Sequence, residues 1–327
     1  MKILYVASRH DYGDADRGFS FEHANFYDSF VHMGHEVTYF DFPTLCHELG
    51  RETMNERLRQ QVQAVRPDLM FTCLTGDELD LLTVRAISES GVTTTLNWFC
   101  DDHWRFEKFS RRWAPAFNWV ATTASSAVPK YRSLGLTNVI KTQWAANHFQ
   151  YRRLDLPMKY DMSFVGRVYG QRQEFVERLR RAGINVYTRG YGWPEGRATQ
   201  EEMIEIFNQS RINLNLADSP KQLNWFKRLT RRKPPPKQIK GRNFEIPGCG
   251  GFLLTDPADN LEEYYRPEKE VGLFRDFDDL IEKVRYYLSH ETERAAIVQA
   301  GYARTLREHT YELRFKEIFR RMNLPDV

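Results

Sequence analysis

The chain has 327 residues, 41% of them hydrophobic and 14% aromatic, with 47 Lys and Arg set against 44 Asp and Glu. That is enough apolar material for about two globular domains, and a net charge of +3 excludes a disordered polyelectrolyte without implying nucleic acid. The apolar runs are strand-sized, far short of the ~20 residues of a membrane span, and Met1 leads straight into a strand-like segment without a signal-peptide pattern. A cytoplasmic protein with no membrane span is expected.

In chain order, strand-like runs alternate with segments of helical period, the pattern of parallel sheets covered by helices. The first series is KILYVA (2–7), EVTYFDF (36–42), DLMFTCL (68–74), TTTLNWF (93–99) and NWVATT (118–123). Between the first two, Ser20 is placed to cap a helix whose apolar residues Ala24, Tyr27, Phe30 and Val31 share a face before Gly34 ends it. A second series follows Leu156-Pro157: DMSFVG (161–166), INVYT (184–188), RINLNLA (211–217), GFLLTD (251–256) and EVGLF (270–274). Phe315, Ile318, Phe319 and Met322 line one face of a final helix. The expected fold class is α/β, with two Rossmann-like domains. The expected division is 1–155, 156–308 and a C-terminal helical segment 309–327.

Doubly wound sheets bind ligands outside the carboxyl ends of their strands, so the residues after each strand carry the candidate chemistry. Arg17 and Gly18 precede the Ser20 helix, a natural anion site, but no GxGxxG spacing accompanies them. Asp101, Asp102 and His103 end the fourth run. They offer a general base, or else a helix N-cap with a first-turn acid. Gly166 and Arg167 follow the first strand of the second series and suit a phosphate. Gly190, Tyr191 and Trp193 follow the next, where the aromatics offer a stacking surface for a nucleobase or simply pack. Asp14-Ala15-Asp16 and Asp276-Phe277-Asp278 match a carboxylate spacing that can hold a divalent metal, yet such triplets are common at helix starts. Cys46, Cys73, Cys100 and Cys249 are widely separated and show no paired-ligand spacing, so neither a zinc site nor a disulfide framework is expected.

Residues 238–256, QIKGRNFEIPGCGGFLLTD, are the densest segment. Lys240 and Arg242 match a diphosphate, and Glu245, an acceptor when ionised, matches paired ribose hydroxyls. Gly248, Gly250 and Gly251 then turn the chain into a buried strand. A capped helix with incidental charges is the plainer alternative. The run Lys227 to Arg242 holds eight Lys or Arg in sixteen residues and no acid, which fits a diphosphate or acidic-acceptor clamp better than nucleic acid, or else a solvated loop.

With KGRNFEIPGCGGFLLTD, DFDDLIEKVRYYLSH and AGYARTLREHTYELR in view, the C-terminal part resembles the CgeB-like, or spore-maturation-protein-like, glycosyltransferases of two-Rossmann GT-B architecture. The likeness is clear over roughly residues 160–320 and fainter in RGFSFEHANF, MGHEVTYFDF and LNWFCDDHWRF. It implies two domains facing across a cleft, the N-terminal one for the acceptor and the C-terminal one for the donor, with the last helix crossing back to the N-terminal domain. It also implies transfer of a sugar from a UDP, GDP or TDP sugar to an acceptor, whether glycan, protein or small molecule. No tightly bound cofactor and no metal are expected, with Lys240, Arg242 and Arg167 neutralising the diphosphate. Glu245 matches the acid that holds the donor ribose. Many retaining relatives carry a second glutamate eight residues earlier, where this chain has Lys237. As acceptor base the order of preference is Asp102, then Asp101, His103 and His10. A sugar-nucleotide epimerase of the same fold and a non-catalytic polyanion-binding protein are the alternatives.

Overall fold

The computed structural model describes residues 1–217 and 237–325. They form two compact units, Met1–Gln143 with Tyr311–Val327, and Trp144–Thr310.

The first unit is built on a six-stranded sheet of order β2-β1-β3-β4-β5-β6. Its strands are β1 (Lys2–Val6), β2 (Glu36–Phe40), β3 (Leu69–Thr72), β4 (Thr94–Phe99), β5 (Trp119–Thr122) and β6 (Val139–Lys141). All pair in parallel. Helices on both faces explain why Ile3, Leu4, Tyr5 and Val6 are apolar in succession, and all four are wholly buried. β6 has only three residues, too few to stand out as a sequence pattern. The strand order turns outward in both directions from β1 and β3, so the crevice between their carboxyl ends is this sheet's switch point.

The helix after β1 departs from simple periodicity. Ser20 caps it as expected, its Oγ accepting from the His23 N–H at 3.0 Å. Residues His23–Tyr27 then form a π turn before the α-helix Asp28–His32. A π turn adds a residue and rotates everything after it. Phe26 and Phe30 therefore enter the core while Val31 is 49% exposed, contrary to its expected place on the buried face. Gly34, at φ +82°, ends the helix in the left-handed region open to glycine.

The second unit carries a five-stranded sheet of order β11-β10-β9-β7-β8. Here β7 is Tyr160–Val165, β8 Val186–Arg189, β9 Ser210–Asn215, β10 Leu253–Thr255 and β11 Gly272–Leu273, again all parallel. Met162, Phe164, Ile212, Leu214 and Leu254 from the strands pack with Val176, Leu179, Leu280 and Val284 from the helices. The final helix, Tyr311–Arg321, belongs to the first unit, as the resemblance implied. Its Phe315 ring lies 4.2 Å from Phe30 and 5.7 Å from Phe26 between centroids.

Candidate functional site

In the second unit the helix Arg242–Gly248 precedes β10 and brings residues 237–256 to the carboxyl edge of β9 and β10. A polar network forms there. Asn215 Nδ2 donates to Asn243 Oδ1 at 3.0 Å and to Thr255 Oγ1 at 3.2 Å. Asp256 accepts from the Ala217 N–H at 2.8 Å and pairs with Lys237. Lys240 Nζ donates to Gln238 Oε1 at 3.2 Å. Lys237 is thus held by a carboxylate that directly follows β10.

Arg242 and Glu245 do not point at separate ligand groups. The guanidinium donates to Glu245 Oε2, Glu245 is 0% exposed, and the buried Tyr151 hydroxyl also hydrogen-bonds to its carboxylate. Burial works to lower the Arg242 pKa, but the Glu245 carboxylate beside it prevails and holds it raised. Burial, then Glu245, push the Tyr151 phenol well above its ordinary value.

The loops after β7 and β8 close on each other. Gly190 has φ +137°, and a Cβ there would lie 2.3 Å from the Gly166 carbonyl oxygen, so its close approach is to Gly166. Trp193 is 7% exposed, donates from Nε1 to the same Gly166 oxygen at 2.8 Å and packs edge-on to Phe164. It is a core residue, which corrects its expected place as a stacking surface. Tyr191 is the exposed aromatic, at 63%, with the Arg167 guanidinium 5.1 Å from its ring.

In the first unit, the aspartates after β4 divide. Asp102 is 1% exposed, and its Oδ2 accepts from Thr122 Oγ1 at 2.5 Å and the Tyr131 hydroxyl at 2.7 Å. Burial raises its pKa against the pull of these bonds. The preferred base is therefore a pin inside the core, held by hydroxyls from β5 and the helix Val128–Ser133. Asp101 is half-buried and does not cap the helix that follows it with its side chain. With Cys100 and Arg105 it lines a cavity of about 20 Å³ at the carboxyl ends of β3 and β4. His103 is half-buried, and His10 bridges to Phe19 and stacks on its ring at 5.8 Å.

One residue at this edge has no motif to announce it. Glu22 lies in the first helical turn after β1, and that place is its only signal in the sequence. Burial, aided by Asp11 and Asp101 and opposed by its own backbone N–H, raises its pKa to about 7.

The other expected sites resolve simply. Arg17 pairs with Asp14 at 3.0 Å, so its charge is engaged locally. Asp14 and Asp276 each accept backbone N–H groups at a helical start, from Asp16 and from Asp278 and Asp279. Of the basic run, residues 227–236 lie outside the described residues; Lys237 and Lys240 pair with Asp256 and Gln238, and Arg242 with Glu245.

Residues 171–320 match the family model described as glycosyl transferase-like. Spore protein CgeB of Bacillus subtilis strain 168 is 23% identical over 212 residues, 59% of this chain and 64% of that protein, so the match spans less than two thirds of the relative. HepE of Anabaena, in complex with UDP-glucose, is similar over 99% of each chain with a TM-score of 0.65 and 11% identity. Sucrose-phosphate synthase of Thermosynechococcus elongatus is similar over 98% of this chain and 99% of its own, with a TM-score of 0.65 and 11% identity. At such identities the likeness is one of fold. Taken with the two parallel sheets, these matches give the chain a GT-B fold and residues 171–320 a likeness to glycosyl transferase-like proteins.

Proposed function

We propose that the protein is a glycosyltransferase that takes its donor, a nucleotide-diphosphate sugar, on the second unit and its acceptor on the first. The observation that carries this reading is the cluster of Lys240, Arg242 and Glu245 at the carboxyl edge of a parallel sheet, within the segment that matches glycosyl transferase-like proteins. Donor binding exchanges partners. Arg242 leaves Glu245 for the diphosphate, where with Lys240 and Arg167 it neutralises the departing charge, and Glu245, its Oε2 released, accepts the ribose hydroxyls. Cations suffice for that neutralisation, so the transfer itself requires no metal at the diphosphate. Tyr191, exposed beside Arg167, supplies the stacking surface for the base. On the first unit Asp101 receives the acceptor hydroxyl, because Asp102 is spent on the core. HepE, similar in fold, is known in complex with UDP and UDP-glucose, which makes UDP sugars the first donors to try.

The test is a thermal-shift and calorimetric panel of UDP, GDP and TDP sugars. A true donor raises the melting temperature by mass action. Glu245→Gln should then weaken its binding by about 1.5–3 kcal/mol, the worth of charge-assisted hydrogen bonds. No shift with any member, or a shift unaltered by Glu245→Gln, rejects the assignment. Mass spectrometry of the donor alone tests for an epimerase, which alters the sugar without any acceptor.

A further inference from the structure

Cys73 and Cys100 are 27 residues apart in sequence, yet each directly follows one of two neighbouring strands, β3 and β4. Their Sγ atoms stand 3.5 Å apart. The first turn of the Ser20-capped helix brings a carboxylate oxygen of Glu22 to the same place, so that the three ligand atoms all lie within 4.8 Å of one another. A tetrahedral zinc ion with Zn–S bonds of about 2.3 Å holds two sulfurs about 3.8 Å apart. The thiols are already within tenths of an ångström of that spacing.

Two thiols in contact, Cys73 buried and Cys100 half-buried, need no ligand to explain them, since free cysteine packs as a small apolar group. The carboxylate is what packing leaves unexplained. Glu22 brings a half-buried carboxylate oxygen to within 4.8 Å of both sulfurs. For Cys100 the hydrogen bond to Cys73 comes first and burial second in pushing the thiol well up, which leaves the pair poor nucleophiles and points away from spontaneous oxidation. A cation among the three groups gives two sulfurs and a carboxylate a common partner at the spacing they already hold.

We propose that Glu22, Cys73 and Cys100 bind a thiophilic divalent cation of the zinc class, with a fourth position left for solvent. Two sulfurs and one oxygen select against magnesium and calcium, which take all-oxygen shells. The ion ties the start of the Ser20-capped helix to the carboxyl ends of β3 and β4, beside Asp101. It is separate from the donor residues, which all belong to the second unit, and it stands whether or not the glycosyltransferase reading does.

The test uses the full chain, reduced, stripped with a chelator and titrated with cobalt(II). A thiolate-to-cobalt charge-transfer band should grow to saturation at one equivalent, be displaced by zinc and be unaffected by magnesium. Cys73→Ser and Cys100→Ser should each abolish it, and Glu22→Gln should weaken cobalt binding by about tenfold or more. Cys46→Ser and Cys249→Ser should leave it unchanged. Absence of the band in the wild-type chain, or its survival in both serine variants, overturns the assignment. Should the serine variants fail to fold by circular dichroism, maleimide labelling of the wild-type chain followed by peptide mapping decides. Zinc should shield Cys73 and Cys100 selectively, and equal labelling with and without zinc overturns the site.

Discussion

Asp101 and Asp102 are the same chemical group one residue apart, and the fold gives them opposite duties. Asp102→Ala would leave two hydroxyl groups, from Thr122 and Tyr131, without their acceptor. Its unfolding free energy in urea should fall by about 1–3 kcal/mol, the cost of a disturbed buried polar group. Asp101→Asn should stay within about 0.5 kcal/mol of the wild-type chain, as surface changes do, while transfer to the acceptor slows and donor affinity holds. Equal stability of the two variants would contradict the core role of Asp102. The aromatics after β8 make a similar contrast. Trp193→Ala, which removes a core ring and its bond to Gly166, should cost about 3–5 kcal/mol. Tyr191→Ala should leave stability within about 0.5 kcal/mol and show itself in donor affinity alone.

At the level of elements, turns set the geometry that periodicity only outlines. Gly190→Ala should destabilise the second unit by about 1–3 kcal/mol or more, because a left-handed φ is combined with a Cβ driven into the Gly166 carbonyl; a wild-type urea midpoint would argue against that contact. Long apolar runs were legible in the sequence, since a strand buried on both faces must be apolar throughout, and the ten runs from KILYVA to EVGLF all carry strands. Three-residue β6 was not, being too short to have a period. The π turn was not either, because nothing in HANFY distinguishes a five-residue turn from an ordinary one, and so Val31 was expected on the wrong side. The site was legible where its residues are consecutive, as in Lys240, Arg242 and Glu245. Spacing cannot reveal that Arg242 turns back onto Glu245, nor that cysteines 27 residues apart meet, because neighbouring strands bring together what the chain keeps separate.

At the scale of the molecule, the first unit takes its last helix from the far end of the chain. Tyr311, Phe315, Ile318 and Phe319 are wholly buried there, against Phe26, Phe30 and Phe71. Phe315→Ala should lower the stability of that unit by about 3–5 kcal/mol, seen as an early transition in urea that leaves the second unit's transition in place; a single unshifted transition would contradict it. The same arrangement governs birth as well as stability. A ribosome delivers the N-terminus first, and domains made of one continuous stretch fold as they emerge. Here the continuous stretch is Trp144–Thr310, whereas Met1–Gln143 must wait, its aromatic face uncovered, until Tyr311–Arg321 leaves the exit tunnel. The unit synthesised first is therefore completed last, and during that interval it is the part of the newborn chain most in need of a chaperone.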